Sequence, residues 1–364
     1  MEKVVLLYLG RRGAGPEYAL EMAKALSKYV KVLCVLSKYI SNIRHWKQAA
    51  QNIANLTLLE VHTYRSASEF FFSSFNFFRY WFVVRSINKF NPDFIYSPMT
   101  HFGECFIVPF CKCNNTIQTV HDVILHEGEN GIEHKLLSYI FRYKSSKYVI
   151  LSSAFRPQMR NRGISDEQIL VIPHAVFKGY YHGPLKEDFY QYNRFLFFGR
   201  IIKYKGIEVL LASMKTVINR MPKVRLFIAG NGDIEPYREL LYECSENIDL
   251  KNDWIEDCEV EGLFRDIDFV VVPYTHASQS GVIPLSYSFG KPVIATKIGG
   301  LPEQVCEGKT GLLIEAGSEE QLSNAILELF LHADKLKAMK KACYEYAFNN
   351  TWDSSAKILI DAFK

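Results

Sequence analysis

The sequence predicts an α/β protein made of two doubly wound domains, each a parallel sheet covered by helices. Three observations support this prediction. The 364 residues are too many for one ordinary core. Short apolar runs alternate with longer amphipathic stretches along the whole chain, and most of these runs are apolar on both faces. Strands of that kind belong to parallel sheets that helices bury on both sides.

The strand-like runs form two series. In the first half they are Val4–Leu9, Val32–Leu36, Leu56–Val61, Phe94–Tyr96, Ile117–Val120, Tyr148–Leu151 and Ile169–Ile172. In the second half they are Phe195–Phe198, Arg225–Ala229, Phe269–Val272, Val293–Ala295 and Leu312–Ile314. Helical patterns lie between them, such as Glu17–Ser27, Ile207–Asn219 and Ser318–Leu331.

The domain boundary is predicted near residues 178–193, where glycine, proline and mixed charges interrupt the pattern. We therefore predict domains over residues 1–178 and 179–345, followed by a helical segment over 346–364. Parallel sheets of this kind bind ligands beyond the carboxyl ends of their strands, so functional residues are expected in loops that follow strands.

The charge is divided unevenly. Residues 1–178 hold 22 Lys and Arg against 13 Asp and Glu, whereas the rest of the chain holds 21 against 26. A basic first half predicts an anionic partner there, such as a membrane surface, a lipid phosphate or an acidic sugar. Nucleic acid is not expected, because the basic residues are dispersed and no nucleic-acid motif accompanies them.

The location in the cell is predicted from apolar runs and cysteines. The first apolar run stops at Gly10, so it indicates a buried strand rather than a signal peptide, and no run approaches the roughly 18 apolar residues of a membrane span. Eight cysteines are scattered, with one close pair, Cys111 and Cys113, and no second pair at zinc-site spacing. We expect a cytoplasmic protein with reduced thiols, no metal and no cofactor.

Two segments of the second half carry the strongest chemical signals. Phe198–Gly206 follows a strand and opens a helix, and its cations Arg200 and Lys205 suit a diphosphate. Ser278–Pro284 follows another strand, with Ser280 as a candidate helix N-cap and a glycine that allows a ligand close to the backbone. Solvated surface cations and an ordinary capped helix are the alternative interpretations.

The run from Gly290 to Glu303 and the run Gly308–Leu313 resemble the C-terminal signature of family 4 glycosyltransferases, which have the GT-B fold and are of group 1 type. The segment Phe198–Gly206 and the loop Gly230–Asp233 fall where that family has corresponding elements. The resemblance covers nearly all of residues 194–364.

The resemblance implies an acceptor-binding domain over residues 1–178 and a nucleotide-sugar donor-binding domain over 179–345, and it implies roles for individual residues. Arg200 and Lys205 would hold the donor diphosphate, and the backbone of Ser280–Val282 would donate hydrogen bonds to it. The loops at 230–232 and 254–255 would border the nucleotide base, and Trp352 would precede a helix that crosses back to the first domain. The implied donor-site residues are Gly13, Gly15, Arg200, Lys205, Gly230, Asn231, Trp254, Ile255, Gln279, Ser280, Gly281, Val282 and Glu303.

One departure from the family is large. Most members carry two glutamates eight residues apart across the helix start, which bind donor-sugar and ribose hydroxyls. Ala277 and Leu285 stand at those places, and no acidic residue occurs between Asp268 and Glu303. We interpret this chain as belonging to a subtype without the paired glutamates.

The first half resembles the family more weakly. His121 and Asp122 end a strand and match the family's HD pair, whose histidine faces the donor sugar, and His126 and Glu127 follow. A structural histidine is the alternative interpretation. The segment from Gly10 to Pro16, with Gly13 and Gly15, resembles the family's glycine loop near the diphosphate, although it lacks the G-x-G-x-x-G order of a dinucleotide site.

Two further features carry separate predictions. Asp266 and Asp268 mimic a metal-binding DxD motif, but they directly precede a buried strand, so we interpret them as a helix end and a strand entry. The aromatic stretch 70–90 has too many aromatic residues for one core-facing stripe. It predicts contact with an anionic membrane surface or a lipid-linked acceptor, and a helix buried between the sheet and a neighbouring helix is the alternative.

The resemblance implies a retaining, metal-independent hexosyltransferase that moves a sugar from a nucleoside diphosphate sugar to an acceptor hydroxyl. The expected catalytic residues are His121, Arg200 and Lys205. The acceptor would be a saccharide or a lipid-linked molecule in cell-envelope polysaccharide or glycolipid synthesis, at the inner face of the membrane. The alternatives are an inactive relative that binds a partner and a nucleotide-sugar epimerase.

Overall fold

The computed structural model describes residues 2–13, 15–64, 77–121, 123, 145–176 and 191–363. The chain divides into two compact units, one made of Met1–Pro173 with Trp352–Lys364 and the other of His174–Thr351. Most of the predicted boundary region lies outside the described residues, so the predicted domain limits and roles stay predictions.

The first unit contains a parallel sheet. Its strands are β1 Lys3–Tyr8, β2 Lys31–Ser37, β3 Leu56–Val61, β4 Phe94–Ser97, β5 Thr116–Val120, β6 Lys147–Ile150 and β7 Ile169–Val171. The helices of this part of the chain are α1 Gly15–Leu26, α2 Ile43–Asn52, α3 Phe77–Phe90 and α4 Arg156–Asn161.

The sheet order in this unit is β3-β2-β1-β4-β5-β6-β7. All pairings among these strands are parallel, with Val4 opposite Val32 in β2 and Phe94 in β4. The central strand β1 is fully buried from Val4 onward because helices cover both faces of the sheet. The strand order reverses between β1 and β4, which is where doubly wound sheets open a crevice.

The second unit contains the other parallel sheet. Its strands are β8 Arg194–Phe198, β9 Arg225–Ala229, β10 Ile248–Lys251, β11 Phe269–Val272, β12 Val293–Thr296 and β13 Gly311–Ile314. Its helices are α5 Ile207–Arg220, α6 Arg238–Glu243, α7 Asp257–Arg265, α8 Val282–Ser288, α9 Leu301–Gln304, α10 Glu319–Leu331 and α11 Ala333–Asn349.

The strands of this unit run in the order β10-β9-β8-β11-β12-β13. Phe195 lies opposite Leu226 in β9 and Phe269 in β11, and all pairings in this sheet are parallel. The strand order reverses between β8 and β11, so the loops after these two strands flank the expected crevice of this unit. The predicted pair of doubly wound α/β domains is therefore confirmed.

The last helix, α12 Trp352–Asp361, belongs to the first unit. The Trp352 ring meets Tyr18 of α1 edge to face, with the ring centroids 4.9 Å apart. Lys28 Nζ lies 2.8 Å from a carboxylate oxygen of Asp353, at the start of the same helix. This packing explains why an indole stands at the beginning of α12.

The strand predictions agree with the structure to within one or two residues, but β10 was missed. Its sequence, Ile248-Asp-Leu-Lys251, alternates polar with apolar residues and is partly exposed at the sheet edge. The prediction that Ser280 is a helix N-cap is wrong, because α8 begins at Val282 and Gly281 is its N-cap residue. Within the described residues, no helix is both long and apolar enough to cross a bilayer.

Asp266 and Asp268 occupy the places predicted for them, a helix end and a strand entry. Asp266 is the C-cap residue of α7, and Asp268 directly precedes β11. Lys340 Nζ lies 2.9 Å from Asp268 Oδ1, and both side chains are fully buried. The other carboxylate oxygen of Asp268 accepts hydrogen bonds from the backbone N–H groups of Tyr192 and Arg194. Removing one partner of such a buried pair would leave an uncompensated charge, so Asp268 has a structural function.

Candidate functional site

The loop after β8 is held at the switch point of the second unit by close backbone contacts. Gly206 has a φ of +71°, and a Cβ there would lie 1.9 Å from the carbonyl oxygen of Pro273. The Thr275 N–H donates to the Tyr204 carbonyl oxygen at 2.8 Å. Only glycine permits this approach without strain, so the loop after β8 is fixed against the loop after β11.

This loop carries three cations, of which Arg200 and Lys205 are the two predicted to bind a diphosphate. Arg200 is exposed, whereas Lys205 is half-buried and its Nζ lies 3.7 Å from the centroid of the Tyr274 ring. Among the described residues, no carboxylate forms an ion pair with either cation. A cation held over a ring face retains its donors for another ligand, so this pair can bind an anion.

The loop before α8 is fixed by a side-chain amide. Gln304 Oε1 accepts from the Ser280 N–H at 2.8 Å, and Gln304 Nε2 donates to the Ser280 carbonyl oxygen at 2.9 Å. Ser280 Oγ donates to Tyr274 Oη at 3.3 Å and accepts from the Val282 N–H at 3.2 Å. Two of the three backbone N–H groups predicted to bind a diphosphate, those of Ser280 and Val282, therefore have acceptors inside the protein.

Beside this loop, two buried oxygens lack a hydrogen-bond partner among the described residues: Ser278 Oγ and Gln279 Oε1. Ala277 and Leu285, the residues predicted to replace the paired glutamates, pack with a hydrophobic core. Buried polar atoms without partners are uncommon in native proteins, so these two oxygens are candidates for ligand contacts.

The loops after β9 and β10 lie on the side of the loop after β8 that is opposite the loop after β11. Gly230 has a φ of +144°, and a Cβ there would lie 2.0 Å from the carbonyl oxygen of Gly199. Asn252 fixes the next turn by bonding both the N–H and the carbonyl of Gly232. Asn231 is exposed there, and its carbonyl accepts from the Ile201 N–H at 2.8 Å.

Three more predicted site residues lie in the loops of this unit or beside them. Trp254 follows β10 with 49% of its surface exposed, and Ile255 packs against the core beside it. Glu303 is exposed on α9, next to Gln304. The second unit therefore brings its predicted residues to one edge of its sheet, in loops that follow strands or in the short helices next to them.

The first unit presents the remaining predicted residues at the corresponding edge of its own sheet. Gly13 has a φ of +85° in the loop after β1, and Gly15 begins α1. A Cβ on Gly15 would lie 2.4 Å from Tyr8 Oη, so a larger residue would require movement of that side chain. Asp122, His126 and Glu127 lie outside the described residues.

His121 follows β5 and is oriented by two contacts. Its Nε2 lies 2.8 Å from the carbonyl oxygen of Pro98, and its ring meets Tyr18 edge to face with the centroids 5.1 Å apart. A carbonyl oxygen only accepts, so Nε2 carries the proton. The imidazole plane is thereby fixed at the end of β5.

Sequence reasoning missed three residues of the second unit's edge. Tyr274 links Lys205 to Ser280, and Gln304 fixes Ser280. His174 is buried, and its Nε2 lies 3.8 Å from the position of a Cβ on Gly281. An aromatic residue two positions after a strand was a usable signal for Tyr274, whereas no local pattern connects Gln304 or His174 to this loop.

Comparison with known families gives a match to part of the chain. Residues 192–332 match the family described as Glycosyl transferases group 1. The matched segment contains the Gly199–Gly206 loop, Tyr274, Ser280 and Gln304, so the geometry described above lies within it.

Curated proteins that are similar to this chain include named glycosyltransferases. The D-inositol 3-phosphate glycosyltransferase of Segniliparus rotundus is 28% identical over 177 residues, 46% of this chain and 39% of that protein. The uncharacterized glycosyltransferase MJ1178 of Methanocaldococcus jannaschii is 27% identical over 258 residues, 66% of each protein. The GDP-mannose-dependent alpha-(1-6)-phosphatidylinositol monomannoside mannosyltransferase of Mycobacterium tuberculosis is 26% identical over 181 residues, 44% of this chain and 45% of that protein. The match spans about two fifths of the length of the first relative.

Solved structures extend the likeness to the whole chain. The Anabaena protein Alr3699/HepE, solved in complex with UDP, superposes with a TM-score of 0.74 at 16% identity and covers 100% of this chain and 99% of its own. Sucrose-phosphate synthase from Thermosynechococcus elongatus gives 0.73 at 17% identity, over 100% and 98%. At these identities the likeness shows the fold alone, and it confirms the predicted GT-B fold class.

Proposed function

We propose that the protein is a glycosyltransferase that moves a sugar from a nucleoside diphosphate sugar to an acceptor hydroxyl, with retention of anomeric configuration. The observation that carries this proposal is the pair of cations at the switch point of a group 1 domain. Lys205 is held 3.7 Å above Tyr274, and Arg200 is exposed beside it. The UDP of the Anabaena structure and the GDP-mannose dependence of the mycobacterial relative agree with a nucleotide donor.

In this proposal the cations stabilise the leaving group. Negative charge gathers on the diphosphate as the glycosidic bond breaks, and fixed positive charge lowers the free energy of that transition state. Lys205 is pre-positioned by the Tyr274 ring, so little of its side-chain freedom remains to be lost on binding. Arg200 adds a planar fork of donors that suits phosphate oxygens. The reaction then needs no divalent metal, because side-chain cations take that role.

Gln279 and Glu303 of the second unit are proposed to contact the donor sugar. His121 of the first unit is the proposed catalytic histidine, and its contact with the Pro98 carbonyl fixes its ring plane, as an orienting role requires. Gln279 offers a buried amide oxygen without a partner among the described residues. Glu303, on the adjacent helix α9, would supply a carboxylate where the paired glutamates are replaced by Ala277 and Leu285.

The nucleotide is proposed to lie between the loops after β8, β9 and β10. A Cβ at Gly199 would have no atom within 4 Å, so the backbone there leaves space for a base and ribose, whereas Gly230 holds the loop after β9 against Gly199. Trp254 presents an exposed indole face on which a base can stack. Asn231 adds an exposed amide at the same edge.

The acceptor is proposed to be a saccharide or a lipid-linked molecule in cell-envelope polysaccharide or glycolipid synthesis, with the protein in the cytoplasm at the inner face of the membrane. Helix α3 supports the membrane part. Val83 and Ile87 fill its buried side, while Trp81 and Phe82 are more than half exposed. The Arg85 guanidinium lies 5.5 Å from the Trp81 ring centroid. Exposed aromatics beside a cation suit the interface of an anionic bilayer.

Incubation with a panel of nucleoside diphosphate sugars tests the proposed function. Glycosyltransferases release the sugar slowly to water when no acceptor is present, so we expect hydrolysis of one or a few donors with release of the nucleoside diphosphate. Loss of that hydrolysis in the Arg200→Ala/Lys205→Ala double variant is the control against contaminating hydrolases. Failure to bind or hydrolyse any donor of the panel would contradict the proposal.

A further inference from the structure

Glu104 carries a fully buried carboxyl group that the proposed mechanism does not use. It lies in the short 3-10 helix Phe102–Phe106, which follows β4 and a loop over residues 98–101. Burying a carboxyl group costs free energy unless polar groups of the protein offset the lost hydration. Its hydrogen bonds therefore show which part of the fold this side chain holds.

The Glu104 side chain closes the loop after β4 at its base. The hydroxyl of Ser97, the last residue of β4, donates to Glu104 Oε2 at 2.8 Å. The Glu104 N–H donates to the carbonyl oxygen of His101 at 2.9 Å, and the Gly103 N–H donates to His101 Nδ1 at 3.0 Å. Contacts within the segment therefore tie its beginning to its end.

Ser97 holds the backbone on both sides of Pro98. It directly precedes Pro98, and its Oγ also lies 3.4 Å from the carbonyl oxygen of Met99, the residue that follows. The proline ring itself restricts φ to about −65°. The direction of the Pro98 carbonyl therefore depends on where Glu104 holds the Ser97 hydroxyl.

The Pro98 carbonyl is the group that orients His121, the proposed catalytic histidine. His121 Nε2 donates to it at 2.8 Å. The sheet brings the two residues together, because β4 and β5 are neighbouring parallel strands in which Ser97 lies opposite Gln118. Two hydrogen bonds and the backbone between them therefore connect Glu104 to His121.

A separate contact fixes the middle of the loop. Gln118 of β5 donates from Nε2 to Thr100 Oγ1, which ties the loop to the neighbouring strand. Loss of the bond between Glu104 and Ser97 is therefore expected to loosen the Pro98 carbonyl without releasing the whole loop. The effect on the imidazole should be partial.

The charge state of Glu104 determines which replacement is conservative. Burial raises the pKa of Glu104 well above the ordinary value of a glutamate, which favours the neutral carboxylic acid. A neutral acid and a glutamine side chain have nearly the same shape, and neither carries a charge. Glu104→Gln therefore keeps an oxygen acceptor for Ser97, whereas Glu104→Met keeps the length of the side chain and removes the acceptor.

We propose that Glu104 is a positioning residue for His121 and acts through Ser97 and the Pro98 carbonyl. The carboxyl group holds the Ser97 hydroxyl, and that hydroxyl fixes the carbonyl to which the imidazole donates. The catalytic importance of this arrangement rests on the proposed function, whereas the positioning of the ring does not depend on it.

Proton exchange at His121 tests the positioning directly, by NMR of the full-length chain with 15N-labelled histidine. The Nε2 proton of His121, assigned by its loss in His121→Gln, should exchange slowly with water in the unmodified chain because it is hydrogen-bonded. We expect Ser97→Ala to speed this exchange about threefold to tenfold, the range typical of one lost hydrogen bond. Glu104→Met should act in the same direction, and Glu104→Gln should keep the exchange slow.

Donor hydrolysis gives a second readout, with kcat calculated per folded protein. In Ser97→Ala we expect kcat to fall about threefold to tenfold and KM for the donor to change less than about twofold. KM should change little because Arg200 and Lys205 are the residues proposed to hold the donor diphosphate. Glu104→Gln should keep most of the kcat that Glu104→Met loses.

The matched control is Ser27→Ala. Ser27 is a buried serine of the same unit, and its hydroxyl donates to the carbonyl oxygen of Lys24 at 2.7 Å, at the end of α1. Like Ser97→Ala, it removes one hydrogen bond of a buried hydroxyl, so thermal unfolding should show a similar loss of stability. We expect Ser27→Ala to leave proton exchange at His121 and kcat unchanged. Circular dichroism checks that each variant is folded.

The outcomes separate this proposal from the proposed function. If the chain neither binds nor hydrolyses a nucleoside diphosphate sugar, the proposed function fails and proton exchange still decides the positioning of His121. If a donor is hydrolysed while exchange is unchanged in Ser97→Ala, the proposed function stands and the positioning fails.

Three further results would overturn the proposal. One is a His121 Nε2 proton that exchanges in the unmodified chain as fast as in free histidine. Another is exchange that Ser27→Ala speeds as much as Ser97→Ala does. The third is exchange as slow in Glu104→Met as in the unmodified chain, which would remove Glu104 from the arrangement. Should Glu104→Met fail to fold, the result for Ser97→Ala decides, because it breaks the same bond from the other side.

Discussion

Gln304 bonds the backbone of Ser280 with both ends of its side-chain amide, at 2.8 Å through Oε1 and 2.9 Å through Nε2. The two residues are 24 positions apart, and the contact joins α9 to the loop before α8. Ser280 in turn donates its hydroxyl to Tyr274, whose ring lies under Lys205. The candidate diphosphate site therefore depends on a chain of contacts that begins at Gln304.

We predict that Gln304→Ala weakens nucleoside diphosphate binding although Gln304 is buried and contacts no proposed ligand. The change leaves a buried N–H and a buried carbonyl without partners, at a cost of about 1–3 kcal/mol, and releases the Ser280 loop. Calorimetric binding and thermal unfolding should both change. Gln321→Ala is the matched control, since Gln321 also accepts a backbone N–H, that of Glu315, but lies outside the site. Equal loss of affinity in both variants would show that the effect is general destabilisation.

The ring of Tyr274 is predicted to matter more than its hydroxyl. Tyr274→Phe keeps the face under Lys205 and loses only the 3.3 Å contact with Ser280. Tyr274→Leu removes the ring, and a cation–π contact is typically worth about 0.5–2 kcal/mol. We expect nucleoside diphosphate affinity to fall several-fold further in Tyr274→Leu than in Tyr274→Phe. The same affinity in both variants would mean that Lys205 is positioned by something else.

Catalysis is predicted to survive removal of divalent metals. In the proposed mechanism Arg200 and Lys205 take the role that a metal would have beside the diphosphate, and Asp268 bonds Lys340 and backbone N–H groups. The measurement is donor hydrolysis after exhaustive chelation, which should be unchanged. Activity lost on chelation and restored by manganese or magnesium would refute the assignment of the two cations.

Membrane binding is predicted to need the exposed aromatics of α3. Co-sedimentation with vesicles of neutral lipid and of anionic lipid should show preference for the anionic vesicles, and Trp81→Ser/Phe82→Ser should abolish it. Phe348→Ser is the control, because Phe348 is an exposed aromatic of the other unit, with 78% of its surface accessible. Equal absence of binding to both lipids by the unmodified chain would rule out this surface as a membrane contact.

The strands could be predicted because each is a short run of apolar residues bounded by turn residues, and a parallel sheet buries such runs on both faces. The strand that was not predicted, β10, is consistent with this reason. β10 is an edge strand with partly exposed residues, Ile248-Asp-Leu-Lys251, so burial does not select an apolar run there. Gly290 follows the C-cap residue of α8, and its φ of +64° against the Tyr344 ring explains why a glycine stands there.

The contacts that fix the site could not be predicted, because they join residues distant in sequence through single side chains. Nothing near Gln304 indicates that it bonds Ser280. Lys291 is a second residue whose contacts could not be predicted. In the sequence it looks like a surface lysine, but it is buried, and its ammonium donates to the carbonyl oxygens of Arg265 and Ile267. Local patterns specify strands and turns, whereas these bonds depend on which loops the sheet order brings together.

The central claim, that Arg200 and Lys205 hold the donor diphosphate, is tested most directly by titration calorimetry with UDP and with GDP. We expect at least one of them to bind the unmodified chain. Arg200→Ala and Lys205→Ala should each weaken that binding by about 1.5–3 kcal/mol, or roughly tenfold to a hundredfold, without unfolding the protein. Lys203→Ala, an exposed cation of the same loop, should have little effect. Affinity unchanged in both Arg200→Ala and Lys205→Ala, in protein that binds a nucleoside diphosphate, would contradict the account.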